Sequence, residues 1–167
     1  HTEYSLLDGS NKIKEYVARV KELGMNSAAI TDHGVMFGVI DFYRAAKAEG
    51  IKPILGCEVY VAPGSRFEKE AGTNEDRYYH LVLLAENNQG YANLVKIVSK
   101  GFVEGYYYKP RVDLELLEQY HEGIIALSAC LAGEVQRNLL RSMYEEAKRA
   151  ALRYEAVSYT HLTLPTN

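Results

Sequence analysis

Residues 27–61, SAAITDHGVMFGVIDFYRAAKAEGIKPILGCEVYV, decide the fold class. Ser27 to Thr31 is a short run of small and apolar residues that reads as a strand. Val35 to Glu49 takes helical spacing through Phe42, Ala45 and Ala46 and stops at Gly50. Ile54 to Val61 then reads as a second strand. Outward toward the N-terminus, Ile13, Tyr16, Val17, Val20 and Leu23 fall at the i, i+3, i+4, i+7 spacing of an amphipathic helix over Asn11 to Leu23, with Ser10 before it and Gly24 after it.

Toward the C-terminus, a polar loop runs from Pro63 to Arg77, with Gly64, Gly72 and Asn74 as its breakers. Leu81 to Ala85 (LVLLA) is a continuous apolar run suited to a strand buried on both faces. Gln89 to Ser99 reads as a helix through Leu94, Val95, Ile97 and Val98 that ends before Gly101. A tyrosine-rich connector spans Gly105 to Val112. A short helix over Asp113 to Tyr120, a strand over Gly123 to Ser128 and helices over Gly133 to Leu140 and Ser142 to Tyr154 follow. Strands alternating with helices imply parallel pairing and right-handed crossovers, hence an α/β fold, either an open doubly wound sheet or a barrel. About four complete strands fall short of the roughly 250 residues of an eight-unit barrel, so a barrel reading leaves part of the wall missing.

The chain has 167 residues, 47% hydrophobic and 25% charged, which suits one globular domain and excludes disorder and collagen-like structure. Its longest nearly uncharged apolar stretch, Ile124 to Gly133, is about half the ~20 residues of a membrane-spanning helix. Two cysteines, Cys57 and Cys130, do not make a disulfide scaffold, so the expected compartment is a reducing cytoplasm. A net charge of −3 does not force nucleic acid as a partner through bulk electrostatics, and any phosphate binding is expected to be local. The absence of an initiating Met before His1 raises the expectation that the sequence is a piece of a longer one. From residue 155 the charged helical pattern breaks into AVSYTHLTLPTN (156–167), expected to be a non-native tail, with a native strand as the alternative.

His33 stands in Ile30-Thr31-Asp32-His33-Gly34, after a strand and before a helix, where parallel folds place their sites. Asp32 beside it is expected to orient its imidazole. The competing reading is a solvated turn histidine. Glu58, in Gly56-Cys57-Glu58-Val59, lies within an otherwise apolar strand, where a carboxylate costs several kcal/mol unless paired or bound to a cation. The alternative is an edge strand with Glu58 toward solvent. Cys57, alternating with Glu58, is assigned to the core. His1, Asp8, His80 and Cys130 complete a mixed N, O, S set suited to Zn²⁺ or, for the N and O positions, Mn²⁺ or Fe²⁺, although Cys130 taken alone suits a small buried hydrophobe. Tyr106 to Arg111 (YYYKPR), with Lys96 and Lys100, interleaves aromatic and cationic side chains. Lys96, Lys100, Tyr107, Tyr108, Lys109 and Arg111 therefore suit contact with nucleic acid or, the favoured reading, with neighbouring domains.

Five blocks, HTEYSLLDG (1–9), ITDHG (30–34), GCEVY (56–60), YHLVLLA (79–85) and SACLAGE (128–134), resemble in order and spacing the PHP (polymerase and histidinol phosphatase) domain. Within that family they look like the branch that opens bacterial replicative DNA polymerases, over about residues 1–154. The resemblance implies a distorted seven-unit (β/α) barrel, incomplete here, with a cluster of up to three divalent ions, Zn or Mn. His1, as the second histidine of a His-x-His pair, and Asp8, His33, Glu58, His80 and Cys130 would be ligands, with further ligands expected outside this sequence. The strand reading puts His80 at the start of its strand and the other expected ligands near strand ends.

The resemblance further implies a parent DNA-directed DNA polymerase whose own Mg²⁺ site lies beyond this piece. The PHP domain would be a phosphoesterase, acting as a 3′–5′ exonuclease in the intact protein, while this piece alone is expected to be inactive. DNA, the other polymerase subunits and the remaining polymerase domains in cis are the implied partners, with no membrane. A free-standing phosphoesterase such as histidinol phosphatase and a non-catalytic, metal-stiffened scaffold remain the alternatives. The segment from His80 to Arg111, with Asn93-Leu94-Val95-Lys96 and Tyr-Lys-Pro-Arg, looks like the polymerase branch.

Overall fold

A computed structural model describes residues 1–70, 77–128 and 130–158 of the chain. In order, the elements are α1 (Ile13–Glu22), β1 (Ser27–His33), α2 (Val39–Ala48), β2 (Lys52–Val61), β3 (Tyr79–Ala85), α3 (Asn88–Val103), β4 (Tyr106–Tyr107), β5 (Lys109–Val112), α4 (Leu114–Gln119), β6 (Ile124–Leu127), α5 (Glu134–Leu140) and α6 (Tyr144–Ser158). The tail assignment from residue 155 begins inside α6, and residues 159–167, with His161, lie outside the described residues.

The six strands form one sheet around β2. Strand β1 pairs parallel with Lys52–Glu58, β5 pairs parallel with Tyr60–Val61, and β3 pairs along the opposite edge, over Gly56–Val61. Three pairings depart from the all-parallel expectation: β3 runs antiparallel to both β2 and β6, and β4 is antiparallel to β5. The reason is the connection. A parallel neighbour needs a crossover, usually a helix, whereas β2 leads into a loop and β4 into a tight turn, so each following strand comes back beside its predecessor.

Side chains alternate across the sheet. On β2, Leu55, Cys57, Val59 and Val61 face the helices, and Glu58 and Tyr60 face the other way. Helices α1 and α2 pack on Ala28, Ile30 and Leu55, while Leu94, Ile97, Leu116 and Tyr154 from α3, α4 and α6 pack on Cys57, Val59, Leu81 and Leu83. Helices thus cover one face only, as in the wall of a barrel, and neither β4 nor β6 finds a further neighbour among the described residues.

Three of the boundaries that differ from the expected ones have a local cause. Helix α1 starts at Ile13, because residues 2 and 11 bridge in parallel and keep the chain before it extended. Helix α2 starts at Val39, since Gly34 turns at φ +65° and donates its N–H to the Glu58 carbonyl at 2.8 Å. Helix α3 runs through Gly101 rather than stopping before it. A Cβ there would lie 3.3 Å from Val112 and 3.4 Å from the Pro110 carbonyl, so this glycine serves close approach of helix to strand.

Candidate metal centre

The centre forms on the helix-free face, where β1 and β2 end and β3 begins. His33 and Glu58 are register partners, as are Tyr60 and His80. Because β3 runs backwards, its first residues lie beside the last residues of β2. The reversed strand therefore accounts for His80 sitting at a strand start while meeting residues at strand ends.

The N-terminal segment is pinned by Asp32, 1% exposed. Its carboxylate accepts from the Thr2 backbone N–H at 2.5 Å, the Thr2 hydroxyl at 2.7 Å and the Ser5 hydroxyl at 2.9 Å. This corrects the expected role of Asp32: neighbouring residues on a strand point to opposite faces, so Asp32 anchors residues 2–5 instead of the His33 ring. Ser5, fully buried, also accepts from the His33 backbone N–H at 3.0 Å and stands 3.0 Å from His1 Nδ1. Its single proton goes to Asp32, so His1 Nδ1 must donate, and in the neutral imidazole Nε2 carries the lone pair. Thr2 and Ser5 were not singled out in the sequence, and only their place between the histidine and Asp8 could have marked them.

Glu58, 4% exposed, is the hub. One carboxylate oxygen, Oε2, lies 2.9 Å from His1 Nε2 and 3.6 Å from His33 Nδ1, while Oε1 lies 2.7 Å from His80 Nδ1. The His1 and His33 rings stack at 3.9 Å. Two groups result, His1 with His33 and Glu58, and Glu58 with His80 and Cys130, each with donor atoms within 4.8 Å of one another. Asp8 lies at the rim, its Oδ2 2.6 Å from His33 Nε2, with more than half its side chain in solvent. The edge-strand and solvated-turn alternatives for Glu58 and His33 do not describe this arrangement.

The donor set fits a divalent cation. His33 Nδ1 is buried with no hydrogen-bond partner among the described residues. His1 Nε2 and Glu58 Oε2, a lone pair facing a carboxylate oxygen at 2.9 Å, attract only with a proton or a metal cation between them. Separations of 2.7 to 3.6 Å match ligand atoms around an ion bound at about 2.0 to 2.2 Å.

Cys57 is a packed thiol as expected, its Sγ 3.4 Å from the Asp32 carbonyl. Burial, then the charges of Asp32 and Glu58, push its pKa well up, so it stays protonated. Tyr60 closes the other side of the centre, its ring 5.2 Å from His80 and 6.5 Å from His33. Gly34 allows this wall. At φ +65°, a Cβ there would lie 2.6 Å from Tyr60 Cε2 and 3.2 Å from Pro110. Gly34→Ala is expected to cost about 2 kcal/mol or more in urea unfolding, since it combines left-handed strain with a clash.

The aromatic and cationic stretch divides. Arg111 is 4% exposed and donates to the carbonyls of Gly105, Arg66, Glu68 and Arg77, so it is a clamp on the β2–β3 loop rather than a surface contact. Lys100 is taken by Glu104 at 2.6 Å, and Lys96 lies over the Tyr120 ring at 5.3 Å. The inward register of Arg111 and the helix spacing of Lys100 and Glu104 explain why composition alone overstated this surface. Tyr107, Tyr108 and Lys109 remain around the β4–β5 turn.

Among the described residues, no helix is long and apolar enough to cross a membrane. A family model described as the PHP domain matches residues 1–161. Over 157 residues, 94% of the chain, the sequence is 51% identical to a DNA polymerase III subunit alpha of Treponema pallidum, of which it spans 13%. It is 51% identical over 138 residues to a protein of the same name from Aquifex aeolicus, spanning 12% of that protein. A solved structure described as a metal-dependent phosphoesterase from Bifidobacterium adolescentis aligns over 94% of the chain and 82% of its own, at 13% identity and a TM-score of 0.48.

Proposed function

The chain belongs to the PHP domain family, and on that premise we propose that it carries a divalent-metal centre for phosphodiester hydrolysis. The observation that carries this reading is the two-sided Glu58 carboxylate, with one oxygen toward His1 and His33 and the other toward His80. His1, Asp8, His33, Glu58, His80 and Cys130 are the proposed ligands. Imidazole, carboxylate and thiolate together favour Zn, and the N and O positions also accept Mn, with up to three ions in a complete domain. Bound ions of this kind stabilise charge on phosphate oxygens and leaving group and make water a nucleophile at neutral pH.

The residues of the chain supply the frame. Asp32, through Ser5, holds His1 in one tautomer and orientation, which is how outer partners tune ligands. Glu58 brings the negative charge that offsets bound cations. Asp8 is the acid nearest solvent and faces incoming substrate.

The narrower proposal is that the chain is the N-terminal PHP domain of a bacterial DNA polymerase III alpha subunit, supported by 51% identity to proteins of that name. The parent would be a cytoplasmic DNA-directed DNA polymerase, with Mg²⁺ at its own nucleotidyl-transfer site. It would work with DNA, the other polymerase III subunits and the polymerase domains in cis. The PHP centre would act in it as a 3′–5′ exonuclease. The family resemblance implies more ligands than these six residues, so the 167-residue chain is expected to show little turnover by itself.

Metal analysis of the purified chain, followed by chelation, tests the reading. At metal concentrations about a hundred times Kd, linkage contributes about 2.7 kcal/mol, and stripping the metal is expected to lower Tm by roughly 5 to 10 °C. A chain that retains no Zn or Mn and melts identically with and without chelator would exclude the centre.

A further inference from the structure

Beside the centre stands a hairpin whose tip the metal chemistry does not use. We propose that the β4–β5 turn is a subsite for the terminal nucleotide of a single strand, with Tyr108 as base platform and Lys109 as phosphate contact. This rests on the phosphodiester reading above and names the substrate class.

Tyr108 sits between β4 and β5 at φ +60°, a left-handed conformation that favours glycine or asparagine and strains a bulky side chain. The residue is 61% exposed, with its ring held edge-on against Tyr107 at 4.7 Å. Strain held at an exposed aromatic is a signature of function. The Arg77 guanidinium lies 4.0 Å from the Tyr108 ring centroid, and its buried Nε has no hydrogen-bond partner among the described residues.

Lys109 follows directly. Its ammonium is 5.5 Å from the Tyr60 ring, which in turn lies 5.2 Å from the His80 ring, so the cation is one ring away from the centre. No carboxylate of the described residues forms an ion pair with it. The turn is fixed to the rim, because Pro110 packs at Gly34, next to His33, and Arg111 is clamped beneath.

An exposed ring and a cation with no ion-pair partner among the described residues, beside a phosphodiester centre and in a chain of net charge −3, match the alternation of base and phosphate in a single strand. A protein partner would leave the strained tyrosine and the neighbouring cation without so direct a use.

The test uses the 167-residue chain and a fluorescein-labelled, phosphorothioate-linked dT octamer, with metal content measured in parallel. Tyr108→Ala is expected to weaken binding about tenfold, and Tyr108→Phe to leave it near the unaltered value. Lys109→Gln should weaken it severalfold and reduce the salt slope by about 0.7. The chain has no tryptophan, so Tyr108→Trp adds a lone indole whose emission should be quenched by stacking on a base. Metal content should be the same in all variants. Binding by Tyr108→Ala and Lys109→Gln equal to that of the unaltered chain, no binding by the unaltered chain, or unquenched indole emission overturns the subsite and leaves the turn as a protein contact. Failure of the unaltered chain to retain metal counts against the preceding proposal alone.

Discussion

Glu58→Gln is expected to abolish high-affinity metal binding, with a loss in affinity well above the 10- to 100-fold typical of an outer-shell change. Glutamine keeps the shape but removes the charge shared between His1 and His33 on one side and His80 on the other. The metal-free chain should not suffer. The wild-type carboxylate is 4% exposed, and a neutral amide removes the cost of desolvating its charge. Without metal the variant should therefore melt at or above the wild-type temperature, while the metal-dependent rise in Tm disappears. In the proposed parent polymerase, the nuclease reading expects exonuclease activity to vanish with polymerisation largely intact. A scaffold expects lower thermal stability and a fall in polymerisation with it. Unchanged exonuclease activity beside a lowered Tm would favour the scaffold.

The fold was legible wherever local pattern and chain reversal agree. Spacing in α1 and α3 and the apolar runs of β2, β3 and β6 identify the elements, because burial on one helix stripe or on a strand leaves a periodic trace. Strand direction was less visible. The loop from Pro63 to Arg77 holds no helix-period pattern, and that absence, more than any residue in β3, was the sign that β3 returns antiparallel. Gly101 misled for a related reason: a glycine that ends a helix and one that lets a strand approach look alike in sequence.

The candidate site was legible through residues whose chemistry is costly in its setting. Glu58 stood out as a charge inside an apolar strand, and it is the hub. Ser5 and Thr2 could not stand out, since a buried hydroxyl is informative only once its partners are known, and theirs lie 27 and 30 residues away on Asp32. Asp32 itself was singled out for a bond to His33, but strand alternation turns it to the other face, where it acts on His1 through Ser5. Arg111 shows the same limit from the cationic side, since composition records its charge and not its burial.

The second large effect is expected where the β2–β3 loop is tied down. Arg66 donates to Asp113 at 2.9 and 3.1 Å and to Glu104 at 2.7 Å, with Arg66 and Asp113 both largely buried. Asp113 also accepts from the Arg66 and Leu116 backbone N–H groups, at 2.8 and 3.0 Å, and so caps α4. Removing one member of a buried pair typically costs about 3 to 5 kcal/mol, because the other charge stays buried without its partner. Asp113→Ala should reach that range. Asp113→Asn should be milder by about 1 kcal/mol, since asparagine still caps the helix. A double-mutant cycle of Asp113→Asn with Arg66→Met should give a coupling of roughly 1 to 3 kcal/mol, and strict additivity would show that the pair is not coupled. Glu104 adds a pH signature. Hydrogen bonds from Lys100, then Arg66, hold its carboxyl below the usual range, so its contribution is complete above the ordinary carboxylate pKa and is lost as pH falls through the depressed value. The same loop leads into β3, whose register sets His80 against Tyr60. Asp113→Asn should therefore weaken metal binding as well as stability, whereas a substitution in the α5–α6 contact, such as Ala147→Gly, should lower stability and leave metal affinity unchanged.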